Sequence, residues 1–562
     1  MTSSDYPIQV SIESDAFVTA LAKGEFKPAA PPEFITVLGT VDLTSHPMGD
    51  RIEELPDVTI SGDLIASGHS SLRKCRCNVL GKVELDGSMI EEFVPANIVN
   101  HAIYSGSEKF NVTGRFSAQN CPKLEKISGV FLEVVILDKS SVRSIQNDLH
   151  CRGDLSVASC HALEFLNCHA HRIIANKSSI REFGASTTCK YVSAEECPNL
   201  KKVTKIEGLQ WAKYNGSAIE EISPDFRCSG SVFFHDCPLL KNISGRIHSV
   251  EVSRCALESV TNLTSTEMII SNCEKLPAVF SGVSLQAIVF ASCSLQCLPA
   301  GLPEKTNVRI GGCENFCHLP AVWAGDLSLS DLSSLEGTPA RFRCEGNVDI
   351  SECSNMRKIE GRVGGDLWLM SGTENLKELN SSLEIGGDLR LAGNCGVRKL
   401  NCSISRDLIV NSCEINETGS SFTVLGNADF QGCEVLEKLR GYVGGQTSLD
   451  ESSIVVLGAD FECGGDLLLR QTKSLVSLNC AVSGNVFLED SSVQRIGPAF
   501  HCGKKVKINR CPSLDQNSTN RFPPGSSPPQ VSRKFAPEIG SSPLPPPPSK
   551  NASAKPASSK TM

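Results

Sequence analysis

The chain has 562 residues, a formal net charge of −9, 40% apolar residues and only 6% aromatic ones. That mild acidity argues against a general nucleic-acid binder, which would be basic. No apolar run approaches the roughly 18 residues of a membrane span, and the first fifteen residues are too polar for a secretory signal peptide.

Residues 1–40 are Ser-rich, then Pro-rich at Pro28, Pro31 and Pro32. They read as a flexible lead or a cap, with a short amphipathic segment over residues 14–21. A first degenerate rung falls at Val41 and Leu43. From Leu64 onward one phrase recurs: two apolar residues alternating with polar ones, then Cys, then two spaced apolar residues. It reads Leu155, Val157, Cys160, Leu163, Leu166, and again Val348, Ile350, Cys353, Met356, Ile359. Val308, Ile310 and Cys313 repeat it, as do Val506, Ile508 and Cys511. The alternation is that of a half-buried strand. A period of about twenty residues with one short strand is the signature of a solenoid, which grows in one dimension without adding cores. Two irregularities stand out. The gap from Val83 to Phe116 has room for one more rung near residue 100, and the stretch around Leu209 and Trp211 looks disturbed.

The segments between strands are short, rich in Gly, Ser, Pro and Asn, and lack a helical pattern of ten residues. The expected fold is therefore a mainly β repeat solenoid over residues 41–515. A parallel sheet would line its concave face, and short turns or extended segments its convex face. A second phrase, Phe-x-Cys, precedes some strands at Phe226, Phe342, Phe461 and Phe500; its ring would plug the convex side.

Gly-Asp-Leu-x-Leu followed by Cys or Asn and two spaced apolar residues resembles the leucine-rich repeat. Leu389, Leu391, Asn394, Val397 and Leu400 match in the Asn form, and Phe116, Cys121, Leu124 and Ile127 in the Cys form. The short, helix-poor repeat is similar to bacterial members, some of which are the recognition part of secreted effectors. Leu332 and Ser452 occupy the Cys/Asn position and depart from the pattern. The resemblance implies a non-enzymatic scaffold that binds a protein along its concave sheet. Free thiols and the lack of a signal peptide favour a cytoplasmic protein, and the resemblance implies the alternative of secretion into a host cell by a signal-peptide-independent route.

Residues 516–562 form a Pro/Ser-rich tail expected to be disordered. Between residues 521 and 562 it has eleven prolines and six Lys or Arg against one acid, Glu538. Within it Pro545, Pro548 and Lys550 fit a polyproline ligand, in which prolines fill aromatic grooves and a cation meets an acid. A polyproline-reading adaptor is one possible partner; a plain spacer is the simpler reading.

Of the 26 cysteines, Cys160, Cys197, Cys237, Cys273, Cys313, Cys353, Cys433 and Cys511 share one repeat position. They are expected to stack inward as reduced thiols, the usual fate of buried free Cys, which favours a reducing compartment. Cys293/Cys297, Cys313/Cys317, Cys75/Cys77 and the histidines His161, His169 and His171 lack the spacing of a tetrahedral zinc site. No cofactor is expected. Before each strand a polar column (Asp63, Asp154, Asp326, Asn347, Asp366, Asp388, Asp407, Asn427, Asp466, Asn485) suggests Asx turns, or else an acidic stripe for a basic partner or a divalent cation. On the open face the candidate partner-binding residues are Phe233, Trp368, Met370, Arg390, Leu468, Arg470 and Phe487, with Trp368, Met370 and Arg390 at the centre, because aromatic residues beside Arg make binding hot spots. No catalytic motif is present. The competing readings are a right-handed β-helix that binds or cleaves polysaccharide, and a surface adhesin.

Overall fold

The structure, a computed structural model, describes residues 9–27, 34–95, 110–393, 395–411, 413–515 and 522–524. Alternation dictates the wall of each turn. In Val348–Ser351, Val348 and Ile350 point inward and are buried, while Asp349 and Ser351 face out. The strand pairs in parallel with both neighbours, Leu327↔Val348 and Val348↔Leu367. The same register continues from Val41↔Leu64 to Val486↔Val506. The result is a mainly β parallel solenoid of about 23 turns with almost no helix. At about 4.8 Å per strand its first ladder extends roughly 110 Å.

The segments expected to be plain turns or extended chain also pair between turns. A second ladder follows the corner, as in Leu379↔Leu400 and Leu478↔Ile496. A third precedes the return to the first, as in Cys344↔Val363, Val363↔Ile385 and Val482↔Cys502. Many of these strands are two residues long, too short for a period-2 pattern to show in sequence. Between residues 227 and 291 they fuse into long bent strands such as Asn242–Ser253 and Ser259–Ser271. Each turn therefore fills one narrow core. Val348, Ile350, Cys353, Met356, Ile359 and Val363 all bury their side chains in a single circuit.

The corner after the first ladder is made by one residue in the left-handed region. Glu352 (φ 51°), Arg254 (φ 51°), Gln471 (φ 56°) and Lys177 (φ 60°) occupy it on different turns, and Gly312 (φ 62°) and Gly432 (φ 70°) on others. This conformation costs a non-Gly residue about 1–2 kcal/mol. It is held because the backbone N–H at the corner donates to the next turn, as Glu352 does to the Ser371 carbonyl (2.8 Å). The next residue is then driven inward. Cys160, Cys197, Cys237, Cys273, Cys313, Cys353, Cys433 and Cys511 all lie there, each at most 7% exposed. The thiol suits the place because it is small and donates to a carbonyl of the preceding turn: Cys160 to Leu137 (3.1 Å), Cys197 to Ala175 (3.1 Å), Cys237 to Tyr214 (3.2 Å). Serine substitutes chemically, and Ser217 donates to Ala194 (2.7 Å). Burial raises most of these thiols, pushing Cys353 up to about 11, while hydrogen bonds with the neighbouring thiols Cys255 and Cys293 lower Cys237 and Cys313. At the two departures, Leu332 is fully buried, and Ser452 has a buried hydroxyl with no hydrogen-bond partner.

Both expected irregularities resolve differently. Phe116 pairs directly with Val83, so no rung intervenes in this ladder; residues 96–109 lie outside the described residues. The stretch around Leu209 and Trp211 is not an interruption. Trp211–Lys213 continues the ladder in register, Val192↔Ala212↔Val232. The pattern hides there because the inward pair is a small Ala212 with a large Tyr214, whose volumes compensate. Residues 9–27 contribute the strand Gln9–Glu13, paired with Phe34–Leu38, and the helix Ser14–Ala22, which buries Phe17 and Val18. The Phe of each Phe-x-Cys phrase is buried, at Phe226, Phe342, Phe461 and Phe500.

Two expectations test this construction. Cys353→Asp places an unpaired charge in the core and should cost about 3 kcal/mol or more; an unchanged melting curve would contradict the inward corner. Gln471→Gly relieves a left-handed backbone and should raise stability by about 1 kcal/mol, whereas Gln471→Val should lower it, as read by thermal or denaturant unfolding.

Candidate functional site

The outward residues of the first ladder form one long row because parallel register places them directly above one another. From Arg309 the row reads Ser328, Asp349, Trp368, Arg390, Ile409, Asp429, Ser448, Leu468, Phe487 and Lys507. Three grooves open along it. One of about 540 Å³ runs over Arg309, Asp326, Asn347, Asp349 and Trp368. The others, about 410 and 320 Å³, share Leu468 and Arg470.

Trp368, Met370 and Arg390 come together on adjacent turns. Trp368 is 37% and Met370 42% exposed, high for such large apolar groups. The Arg390 guanidinium lies over the indole, 5.2 Å from the ring centroid, and its Nη2 reaches the Asp388 carboxylate at 3.4 Å. Asp388 is itself buried and also meets Arg406 Nε at 3.4 Å. The aromatic and the cation are thereby held before any ligand arrives, which lowers the ordering cost of binding.

Leu468, Arg470 and Phe487 form a second group in the 320 Å³ groove. Asp450 ties Arg470 at 2.7 Å, and Lys507 stands over the Phe487 ring at 4.7 Å. Phe233 belongs to neither group. Seven turns, roughly 34 Å at the usual strand spacing, separate it from Trp368. It joins an aromatic strip that sequence reading missed: Trp211 at 5.7 Å, His235 at 6.1 Å, and nearby Tyr191 under Arg172 at 5.5 Å. The register of Tyr191, Trp211 and Ser231 was the available signal, obscured by the apparent disturbance there. Pro545, Pro548 and Lys550 lie outside the described residues, as does Asn394.

The polar column is an inter-turn device rather than a set of separate Asx turns. From Asp326 to Asp407 each side chain accepts from the backbone N–H of its counterpart one turn on: Asn347 to Asp326 (2.8 Å), Asp366 to Asn347 (2.8 Å), Asp388 to Asp366 (2.8 Å), Asp407 to Asp388 (3.2 Å), Asn427 to Asp407 (2.7 Å). Asp366, Asp388 and Asp407 stack without an intervening Asn. Arg406 offsets their repulsion, bridging Asp366 (3.9 Å) and Asp388 (3.4 Å). Among the described residues no group of His, Cys, Asp or Glu converges as a metal site. Cys297 is exposed and Cys317 half-buried, while Cys293 and Cys313 face inward.

No protein-family profile matches the chain, and no curated protein matches it. Two solved structures align along most of it at 11% identity. A plant peptide hormone receptor, RGFR1 in complex with RGF2, covers 91% of this chain and 93% of its own, with a TM-score of 0.21. The TLR13–ssRNA13 complex covers 87% of this chain and 82% of its own, with a TM-score of 0.20. At those scores the alignments decide nothing about function, and the fold rests on the strand pairing itself. Among the described residues no helix is long and apolar enough to cross a membrane.

One side chain in the 540 Å³ groove is out of balance. Asp349 has a buried carboxylate oxygen without a hydrogen-bond partner, and burial raises its pKa above the ordinary value. A raised folded-state pKa favours the protonated fold, so the ionised group costs stability at neutral pH. Asp349→Asn should therefore raise the melting temperature at pH 7. The gain should shrink as pH falls through the carboxylate range, until both forms carry a neutral group.

Proposed function

We propose that this is a binding protein rather than an enzyme, holding a protein partner on the outer face of its first ladder. It would act in the cytoplasm or, exported without a signal peptide, inside a host cell. The observation that carries the reading is the exposed Trp368 and Met370 beside an Arg390 already fixed by Asp388. A rigid sheet presents these groups at fixed spacing, and its outward residues vary without touching the core. Partner side chains would pack on the indole and thioether, while Arg390 would meet an acid or a carbonyl. Asp349 and Asp429 would steer basic groups toward the same row.

A second reading, polysaccharide binding, is favoured by one arrangement. An exposed indole beside Asp349, Asp326, Asn347 and Arg309 combines a stacking platform with hydrogen-bonding groups, and the three paired ladders per turn suit a β-helix of that kind.

The full chain and its Trp368→Ala variant should be compared by affinity capture and then by titration with the captured partner. Because Trp368 points outward, the variant should melt like the parent yet bind at least about 10-fold more weakly, the effect expected of a hot spot. A large loss of stability would make Trp368 a packing residue. Capture of a polysaccharide instead, weakened in the same variant, would select the second reading.

A further inference from the structure

We propose that the channel over Leu468 and Phe487 is occupied by the chain's own proline-rich tail, with residues 543–550 lying across successive turns. The proposal rests on the reading of this face as a binding surface and names one occupant for it.

The channel is continuous because its two grooves share Leu468 and Arg470, and it runs from Asn427 to Asn509. Its walls mix apolar and acidic groups. Leu468 and the Phe487 ring give flat carbon surfaces of the kind against which proline rings pack in polyproline recognition. Lys507 stands over Phe487, and Arg470 is neutralised by Asp450. Asp429 and Asp466 have no ion pair among the described residues: Asp429 accepts only from the Gln431 N–H, and Asp466 only from Asn485. Asp429 is thus left in the channel wall, and Asp466 just outside it, two residues before Leu468 in the chain.

The tail is the complement of this surface. From residue 525 on it has five Lys or Arg against Glu538, and Pro543-Leu544-Pro545-Pro546-Pro547-Pro548-Ser549-Lys550 is its densest proline run. A polyproline helix has no internal hydrogen bonds and advances about 3.1 Å per residue. The chain leaves the last turn at Phe522, whose ring packs on Phe500 at 6.2 Å. Asp429 lies four turns back, about 20 Å along the ladder. The eighteen residue steps from 525 to 543 span up to about 55 Å as a polyproline helix, so the run reaches the channel with slack. Prolines 545 and 548 would cover Leu468 and Phe487, and Lys550 would meet Asp429 or Asp466. A partner must then displace the tail, or bind the face beyond it around Trp368.

Zero-length carbodiimide coupling of the full chain, read by peptide mass spectrometry on the monomer, tests this. Amide links from Lys550 to Asp429 or Asp466 are expected. They should be lost in Pro545→Ala/Pro548→Ala and weakened in Phe487→Ala. Lys550 links scattered over acids of all faces, or no intramolecular link, overturn the proposal. Links confined to a covalent dimer overturn it too and make a second copy the occupant. Partner binding that depends on Trp368 is read separately, so the open-face reading can stand while the tail proposal falls.

Discussion

Everything in this molecule depends on each turn satisfying the backbone of the next. A parallel strand cannot close its hydrogen bonds within itself, so every N–H and C=O of the ladders looks one turn onward or back. That requirement fixes the register, and the register fixes what lies above what. The thiol corner, the polar column and the outward row are three readings of one alignment. Where a residue type is constrained, the reason is its position in that stack. At the corner the backbone must turn left-handed and a small donor must fit inside. Before the strand a side chain must accept an N–H one turn away.

How much of this the sequence revealed follows from the same geometry. The first ladder was legible because two inward residues alternate at each turn, and because on many turns a Cys sits five residues after the strand start. The second and third ladders were not, since two-residue strands leave no period to read. Ala212 with Tyr214 hid a turn because volume, not hydrophobic type, was conserved between the two inward positions. The corner residue itself was invisible: Glu352, Arg254, Gln471 and Lys177 share a conformation and no chemistry. The grouping of Trp368 with Met370 and Arg390 came from spacing alone. The role of Asp388 in holding that arginine needed the three-dimensional structure, because its column had suggested local turn chemistry.

The open face shows how a regular scaffold carries an irregular surface. One aromatic in each of the three clusters has a cation one turn away: Arg172 for Tyr191, Arg390 for Trp368, Lys507 for Phe487. The pairing covers part of each ring, worth about 0.5–1 kcal/mol at exposed sites, and limits the sticky area on a long flat sheet. Asp349 is the exception, a carboxylate whose buried oxygen has no partner, and it lies beside the most exposed aromatic of the row.

The connection between Val83 and Phe116 has a wider meaning. Thr113 bonds Leu80 across 33 residues, where a usual turn, such as Ala158 to Asp138, spans 20, and the flanking strands still meet in register. Length added between turns is therefore invisible to the stack. A solenoid of this kind is a row of sockets: an excursion can be inserted, lengthened or exchanged at one connection without renegotiating the rest, and new surface can be acquired one turn at a time while the column behind it stays fixed.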